Sequence, residues 1–552
     1  MLEREAKMMR GKLLILTSLS LTALGLVSLV LAGATSAATT ASRLALGAIE
    51  GVVVDEWGTY VAGATVRIQA TPNSVLSGSD GSFTLNGLAE GISVTVSAWK
   101  ETYYCAKVEG VTPPASGITL TLRLYQTNDN PDYEWIPPTG VNSCYSCKPG
   151  VTDIWLNNDQ HARSGTNPRF FSLYNGSNIT GTEVITPGYK LDFPGTAGNC
   201  ATCHAPGAAV DAPFTTDMNL LTGVDRDFGV HCDFCHKVAG TYLDPSTGLP
   251  YLNTPGVISM DVRRPFPDSP RYQLFFGTFD DDNVPLEDTN LPLLQRSQWC
   301  AACHQFSFWG TPIYQSFKEW LESPYPQYGV ECQTCHMPPN GVMTNVAPGM
   351  GGVERDPMTI HAHTMPGAVS ETLLQNTVDM TVTAQDIGGT VTVSVTLTNT
   401  GAGHHVPTDH PGRHMILTVT AVDGDGRSLD QIGGGTVPEW GGAQAGLPGK
   451  AFAKVLKDAL TGEYPVVSYW KQTFIVSDNR IPAMGGDTST YLFAVPSMGG
   501  EIAVTAQLLF RRNYQADLDA RGWNSPDILM EQVQTYFNSS PCWRVFLPGI
   551  SR

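Results

Sequence analysis

Five Cys-x-x-Cys pairs constrain this chain more than any other feature of its 552 residues. Ten of the twelve cysteines lie in these pairs, and a histidine directly follows four of them. The four are Cys200-Ala-Thr-Cys203-His204, Cys232-Asp-Phe-Cys235-His236, Cys300-Ala-Ala-Cys303-His304 and Cys332-Gln-Thr-Cys335-His336. The remaining pair, Cys144-Tyr-Ser-Cys147, is followed by Lys148. The residue after each pair therefore decides between the uses that paired cysteines have in proteins.

The spacing Cys-x-x-Cys-His is the attachment motif of c-type haem. Two thiols bond to one edge of the porphyrin, and the next side chain reaches the iron beneath the ring. Structural zinc needs four Cys or His ligands, usually two pairs per metal, and neither zinc nor a disulfide needs a histidine at this place. A thioredoxin-like site would be one pair in a βαβ context. The sequence therefore predicts four covalent haem c groups, with proximal iron ligands His204, His236, His304 and His336.

The pair Cys144 and Cys147 departs from this pattern, because Lys148 stands where the histidine would be. An amine can ligate iron in place of an imidazole, so we expect a fifth haem here with Lys148 as its proximal ligand. Two alternatives remain open, which are a haemless pair such as a disulfide and an attachment whose ligand comes from elsewhere.

Eight further histidines are available as ligands on the far side of the irons. Low-potential multihaem cytochromes usually hold iron between two imidazoles, and the supply here exceeds the demand of four or five haems. The distal candidates are His161, His231, His361, His363, His404 and His405. His410 and His414 are weaker candidates, and methionine ligation also remains open.

The first 37 residues have the composition of an export signal. Lys7, Arg10 and Lys12 form a basic region, residues 13–32 are mainly apolar, and Thr35-Ser36-Ala37 offers small residues for cleavage. The apolar run is also long enough to be a retained N-terminal anchor. Both interpretations predict a periplasmic, cell-surface or extracellular protein.

The formal net charge is −18, from 33 basic and 51 acidic residues. Phosphate binding requires clustered Lys and Arg, so this charge argues against a nucleic-acid partner. We expect redox proteins as partners and a membrane contact only through an uncleaved N-terminal segment. The oligomeric state stays open.

The chain is too long for one hydrophobic core, and its patterns divide it into several segments. Apolar and polar residues alternate in residues 48–125 and again in residues 371–512, which predicts two β-sandwiches. Residues 126–140 form a linker rich in Asn, Asp and Pro, and residues 141–370 hold every cysteine pair. Residues 513–552 are expected to form a closing helix and tail, with Ser525-Pro526 opening a helix that carries Leu529, Met530, Val533 and Phe537 on one face.

Two segments also resemble known families. Gly51-Val-Val-Val-Asp55, Val61-Ala-Gly-Ala-Thr-Val66 and Ser79-Asp-Gly-Ser-Phe-Thr-Leu-Asn-Gly-Leu88 resemble the carboxypeptidase regulatory-like domain, which implies an Ig-like or transthyretin-like module without catalysis of its own. The haem segment resembles the cytochrome c-552/4 family through Cys144-x-x-Cys-Lys148, Asp159-Gln-His-Ala-Arg163, Asn167-Pro168 and two Gly-Val-x-Cys-x-x-Cys-His stretches. The resemblance implies that His161 is a distal ligand and that Lys148 holds the catalytic haem of ammonia-forming nitrite reductases.

The predicted fold class is therefore multidomain. It comprises an N-terminal Ig-like or transthyretin-like β-sandwich, a mostly α-helical or irregular multihaem cytochrome c domain, and a C-terminal Ig-like β-sandwich. The predicted function is electron transfer. The alternatives are a nitrite or hydroxylamine-type reductase with a Lys148-ligated catalytic haem, and a structural surface protein. No pattern in the sequence supplies the remaining active-site residues of the nitrite reductases.

Overall fold

The computed structural model describes residues 45–267, 273–281, 284 and 288–540. The predicted signal peptide or anchor, residues 1–37, and Cys542 lie outside the described residues. The elements below lie in one compact unit that begins at Gly47, apart from the first residue of the first strand. In the described ranges, no helix has both the length and the apolar character that a membrane span requires.

The N-terminal segment is a β-sandwich, as predicted. Its two sheets have the orders β4-β1-β7 and β3-β2-β5-β6, and β1 runs parallel to β7. Val66, Ile68, Leu120 and Leu122 alternate with more exposed residues and point into one shared core. The strands are β1 (Leu46–Asp55), β2 (Thr65–Ile68), β3 (Ser74–Leu76), β4 (Ser82–Ala89), β5 (Val94–Trp99), β6 (Ala106–Val111) and β7 (Ala115–Leu122).

The middle segment is mostly irregular, with short helices and small two-stranded sheets rather than a helical domain. The helices in the described part are α1 (Cys144–Cys147), α2 (Pro149–Asn158), α3 (Pro168–Asn175), α4 (Tyr189–Asp192), α5 (Ala201–His204), α6 (Pro206–Ala209), α7 (Gly223–Asp227), α8 (Cys232–Cys235), α9 (Gln298–His304), α10 (Ser316–Leu321) and α11 (Cys332–His336). The strands are β8 (Val238–Thr241), β9 (Met260–Val262), β10 (Phe275–Gly277), β11 (Asp288–Asn290), β12 (Phe306–Phe308) and β13 (Thr311–Tyr314). Prolines two residues after the ends of α1, α4, α5 and α11 prevent these helices from continuing, because proline disrupts a helix interior.

The C-terminal segment is a second β-sandwich, preceded by the short helix α12 (Glu371–Gln375). Its sheets have the orders β14-β15-β20-β17 and β19-β18-β16-β21-β22, and they enclose one core. Its elements are β14 (Val378–Asp386), β15 (Thr390–Asn399), β16 (His414–Asp423), β17 (Gln431–Gly433), β18 (Gly449–Asp458), β19 (Thr473–Asp478), β20 (Gly486–Ala494), β21 (Gly500–Arg511), helix α13 (Gln515–Arg521) and β22 (Ile528–Ser539).

The prediction for residues 513–552 was wrong in its main element. Residues 528–539 form strand β22, which pairs antiparallel with β21, and the helix of this region is the earlier α13. The register shifts between Leu508 and Leu509 because Met530 is an extra residue of β22 with no partner in β21; Met530 is buried, and Val533 and Phe537 alternate inward after it. The extra residue interrupts the alternation of buried and exposed residues. The apolar residues Met530, Val533 and Phe537 are then three and four positions apart, a spacing that also fits a helix.

The loop between β15 and β16, residues 400–413, connects this sandwich with the middle segment. Glu319 of α10 accepts hydrogen bonds from the backbone N–H of His405, the hydroxyl of Thr408 and the guanidinium of Arg480. The Arg480–Glu319 ion pair is buried, with an N–O distance of 2.7 Å. These contacts fix the loop that carries several of the candidate histidines.

Candidate functional site

Each cysteine pair forms about one turn of helix, in α1, α5, α8, α9 and α11. Residues three apart share one face of a helix, so both thiols of a pair point the same way and the next residue stands at the end of the helix beside them. Among the described residues, Cys144 and both cysteines of each Cys-x-x-Cys-His motif form no disulfide. The local backbone therefore presents two thiols and the following side chain together.

Thiols of different motifs contact one another. Hydrogen bonds join Cys144 to Cys232, Cys203 to Cys303, and Cys300 to Cys332. The five pairs thus lie in two adjoining groups, and α9 contributes to a contact with each of two other motifs.

Three motif histidines face a histidine from a distant part of the chain in the described residues. The ring centres are 6.3 Å apart for His236 and His363, 6.3 Å for His304 and His161, and 6.5 Å for His336 and His404. An iron held about 2 Å from one nitrogen of each ring needs ring centres about 6 Å apart, since a ring nitrogen lies about 1 Å from its centre. The spacing in all three pairs matches this requirement.

The other ring nitrogen, Nδ1, faces an oxygen acceptor in each of these six histidines. Such an acceptor fixes the proton on Nδ1 and leaves the lone pair on Nε2 for a metal. The distances from Nδ1 are 2.5 Å for His236 to Phe276 O, 2.7 Å for His336 to Pro366 O, 2.9 Å for His404 to His405 O, 2.9 Å for His161 to Asp159 Oδ1, 3.2 Å for His363 to His361 O, and 3.7 Å for His304 to Asp409 Oδ2.

The surroundings of three motif histidines favour neutral imidazole, whereas the pKa of His304 is raised because its interaction with Asp409 outweighs desolvation. Desolvation lowers the pKa of His236 to about 3 and that of His336 to about 4. Neutral imidazole is the form that ligates metal. The residues present therefore suit an iron porphyrin with one imidazole on each side.

His204 is the motif histidine that faces no other histidine ring in the described part of the chain. Its ring stacks on Phe170 with centres 4.2 Å apart, and desolvation lowers its pKa to about 4. The stack continues from Phe170 to Tyr174. The ring contacts of the described residues thus give no distal partner for this motif.

Three of the six distal candidates lie elsewhere. His231 is fully buried and caps α8, because its Nδ1 accepts the N–H of Phe234, which puts any proton on Nε2, 3.5 Å from Asp225. With its proton on Nε2, this ring presents no lone pair there, and the distal role of His231 stays a prediction. His361 Nδ1 lies 2.9 Å from Met337 O, and His405 Nδ1 lies 3.7 Å from Glu319.

Lys148 lies between α1 and α2, and its amine is 5.0 Å from the ring centre of Phe275. The same phenylalanine stacks on His236 with centres 4.0 Å apart. The amine is therefore close to the His236 site.

Asp409 was not predicted from the sequence, although it lies in the same loop as His404 and His405. The carbonyl groups of Phe276 and Pro366 were not predicted either, since any residue supplies a carbonyl. No pattern in the sequence marks these acceptors. In the described ranges there is no group of three or more His, Cys, Asp or Glu side chains that could hold a metal ion. A haem iron takes at most two protein ligands, so it does not require such a group.

Comparisons with known proteins bear on two parts of the chain. Residues 48–125 match the family model of the carboxypeptidase regulatory-like domain, which confirms the resemblance of the N-terminal sandwich. No curated protein matches the chain.

Among solved structures, the fold is similar to that of a penta-heme cytochrome c552 from Thermochromatium tepidum, with a TM-score of 0.52 and 21% sequence identity over 73% of this chain and 100% of that chain. A type II cohesin–X–dockerin complex from Acetivibrio cellulolyticus matches 14% of this chain and 57% of that chain, with 23% identity. Its TM-score of 0.13 is too low to indicate a shared fold. This chain thus contains a carboxypeptidase regulatory-like domain and shares its fold, over most of its length, with a penta-heme cytochrome.

Proposed function

We propose that this protein is an exported multihaem c-type cytochrome that transfers electrons, with four haem c groups at the Cys-x-x-Cys-His motifs and a fifth at Cys144 and Cys147. The observation that carries the proposal is the spacing of the three histidine pairs, 6.3 to 6.5 Å between ring centres. Each pair joins a motif histidine to a partner far away in sequence, and each ring has an acceptor at Nδ1. The shared fold with a penta-heme cytochrome supports the same function.

The cysteines and the histidines would have different roles, since the cysteines would attach the haem and the histidines would bind its iron. The thiols of each motif would hold the group covalently, and His204, His236, His304 and His336 would bind iron on the proximal side. On the opposite side of the iron, His363 would pair with His236, His161 with His304, and His404 with His336. When bound, the group supplies one-electron oxidation and reduction at its iron. The carbonyl groups of Phe276 and Pro366 accept from the Nδ1 atoms of His236 and His336 and would leave the Nε2 lone pairs available to a metal.

The contacts between thiols of different motifs support a relay of neighbouring sites. Cys144 contacts Cys232, and α9 contacts both the Cys203 and the Cys332 motifs. Attachment points that contact each other keep neighbouring redox sites close together. Electron transfer from one site to the next requires this proximity. We infer that the site on α9 is a junction between two others.

The location and the partners follow from the same proposal. An exported protein with net charge −18 suits redox proteins with basic docking surfaces and disfavours nucleic acid. The carboxypeptidase regulatory-like domain would act as a structural or docking module.

No observation favours the nitrite or hydroxylamine-type reductase over electron transfer. Besides an iron at Lys148, that function would need the substrate-binding residues of the nitrite reductases, for which the sequence shows no pattern. Electron transfer is therefore the function that the geometry supports best.

The test is to produce the full chain in a host that matures c-type cytochromes and to measure its intact mass and its absorption and EPR spectra. We expect an added mass of four or five haems and low-spin spectra from irons with two protein ligands. A colourless protein of unmodified mass would overturn the proposal. A dominant high-spin signal in the native protein would instead favour the reductase.

A further inference from the structure

The motif histidines differ in what their Nδ1 atoms face. The Nδ1 atoms of His236 and His336 lie against neutral backbone carbonyl groups. That of His304 lies 3.7 Å from Oδ2 of Asp409, a carboxylate from the C-terminal sandwich. One of the three paired motif histidines in the described residues thus has a charged acceptor, supplied by a different part of the fold.

Asp409 is held in place as an anion. It is buried, and its Oδ1 accepts the N–H groups of Gln315 at 3.1 Å and Ser316 at 3.2 Å. The hydroxyl of Ser316 donates to Oδ2 at 3.1 Å, the same oxygen that faces His304. The backbone of Asp409 has a φ of 60°, a conformation that non-glycine residues adopt at a cost. The surrounding hydrogen bonds offset this cost and aim the carboxylate at the imidazole.

Charge at this position matters because reduction adds one electron to the site and no bond is made or broken. A fixed negative charge nearby opposes that addition, and a carboxylate on Nδ1 makes an imidazole a stronger donor to its metal. Arg413, whose positive charge acts on Asp409, offsets part of this effect. The carbonyl acceptors of His236 and His336 carry no net charge and have a weaker influence.

We propose that Asp409 is a positioning residue for His304, and that it makes the reduction potential of the iron bound there more negative than it would be with a neutral acceptor. The inference rests on the proposed function, since it requires an iron on His304. It assigns the C-terminal sandwich a part in setting the potential at the α9 junction.

The experiment is a potentiometric titration of the haem-loaded full chain, followed by visible absorption, for the wild type and for Asp409→Asn. We expect one component of the titration to move to more positive potential in the variant while the others stay in place. Asp409→Glu, which keeps the charge, should return that component toward the wild-type value. The matched control is Asp458→Asn, because Asp458 is a buried carboxylate of the same sandwich that accepts N–H groups and pairs with Lys471 away from the motifs.

A second variant keeps the test decisive if Asp409→Asn fails to fold. Ser316→Ala removes the hydroxyl that competes with His304 for Oδ2, so it should move the same component to more negative potential. Unchanged potentials in Asp409→Asn or Ser316→Ala, or equal shifts of all components in Asp409→Asn and Asp458→Asn, would overturn the inference. Absence of haem from the wild-type protein would overturn the proposed function instead, which is a separate and visible result.

Discussion

The imidazole of His404 lies 6.5 Å from that of His336, and the two ring planes are inclined by 19°. His336 ends the last cysteine motif, whereas His404 belongs to the loop between β15 and β16. The C-terminal sandwich therefore contributes a side chain to the candidate site and is more than a spacer.

Replacement of His404 by Ala should remove one of two iron ligands at the Cys332 and Cys335 site while leaving the covalent attachment intact. We expect the mass of the protein to lose only the side-chain difference and a high-spin component to appear in the EPR spectrum. His405→Ala is the matched control, because the adjacent ring lies toward Glu319 instead. Identical low-spin spectra in both variants would show that His404 is not a ligand.

The double variant Cys144→Ala and Cys147→Ala should lower the number of haems by one. The two thiols share one helical turn in α1, as the other attachment cysteines do in theirs. Intact-mass measurement checks this, with Cys105→Ala as a control that should leave the haem number unchanged. If the double variant retains the wild-type haem number, this pair carries no haem and Lys148 has no place in the chemistry.

The buried ion pair between Arg480 and Glu319 should be important for stability. Both side chains are almost inaccessible, at 5% and 6% of their full exposure. Arg480→Met leaves the carboxylate buried without its main partner, which should lower the free energy of unfolding by about 3–5 kcal/mol. Chemical denaturation of the full chain measures this effect.

The control for that measurement is Lys318→Met, which removes an exposed ion pair with Glu322. Exposed pairs contribute about 0–1 kcal/mol, so this variant should unfold close to the wild type. Equal losses in the two variants would contradict the role assigned to burial.

The stability of the protein should depend on Lys454 at alkaline pH. Burial lowers the pKa of this amine from 10.5 to about 8, and it donates to the carbonyl groups of Pro312 and Ile313. Between these two pH values the unfolded chain binds more protons at this residue than the folded chain, so its contribution to the free energy of unfolding rises with pH. The slope has an upper limit of about 1.4 kcal/mol per pH unit.

We expect the free energy of unfolding of the wild type, minus that of Lys454→Met, to increase from pH 8 to pH 10.5. Lys457→Met removes an amine from the same strand and serves as the control. A difference that stays constant over this range would show that the buried amine keeps its ordinary pKa.

The sequence predicted some of these features and not others, for physical reasons. Alternation along β2 and β7 was sufficient for the N-terminal sandwich, because a half-buried strand has a period of two. The bulge in β22 broke that period, and residues 528–539 then resembled a helix. Bulges depend on the partner strand, which a single sequence does not reveal.

The candidate site shows the same division. The cysteine pairs are local patterns, so their spacing alone indicated their chemistry. The pairing of His161 with His304 spans 143 positions and depends on how the middle segment folds. His231 adjoins Cys232, and its cap on α8 follows from that proximity, whereas its predicted role as a distal ligand stays a prediction. Asp409 lies close to His304 only in the folded chain, and its neighbours in the sequence do not indicate this contact.

Strand β22 pairs along β21, which in turn pairs along β16, directly after the loop that carries His404 and Asp409. Domains generally fold as units during synthesis from the N-terminal end. All five cysteine pairs therefore leave the ribosome well before the strand that closes the sandwich. The surroundings of His336 and His304 are therefore complete only after that strand has been made, so any haem bound there would depend on the folding of a domain that contains no cysteine pair.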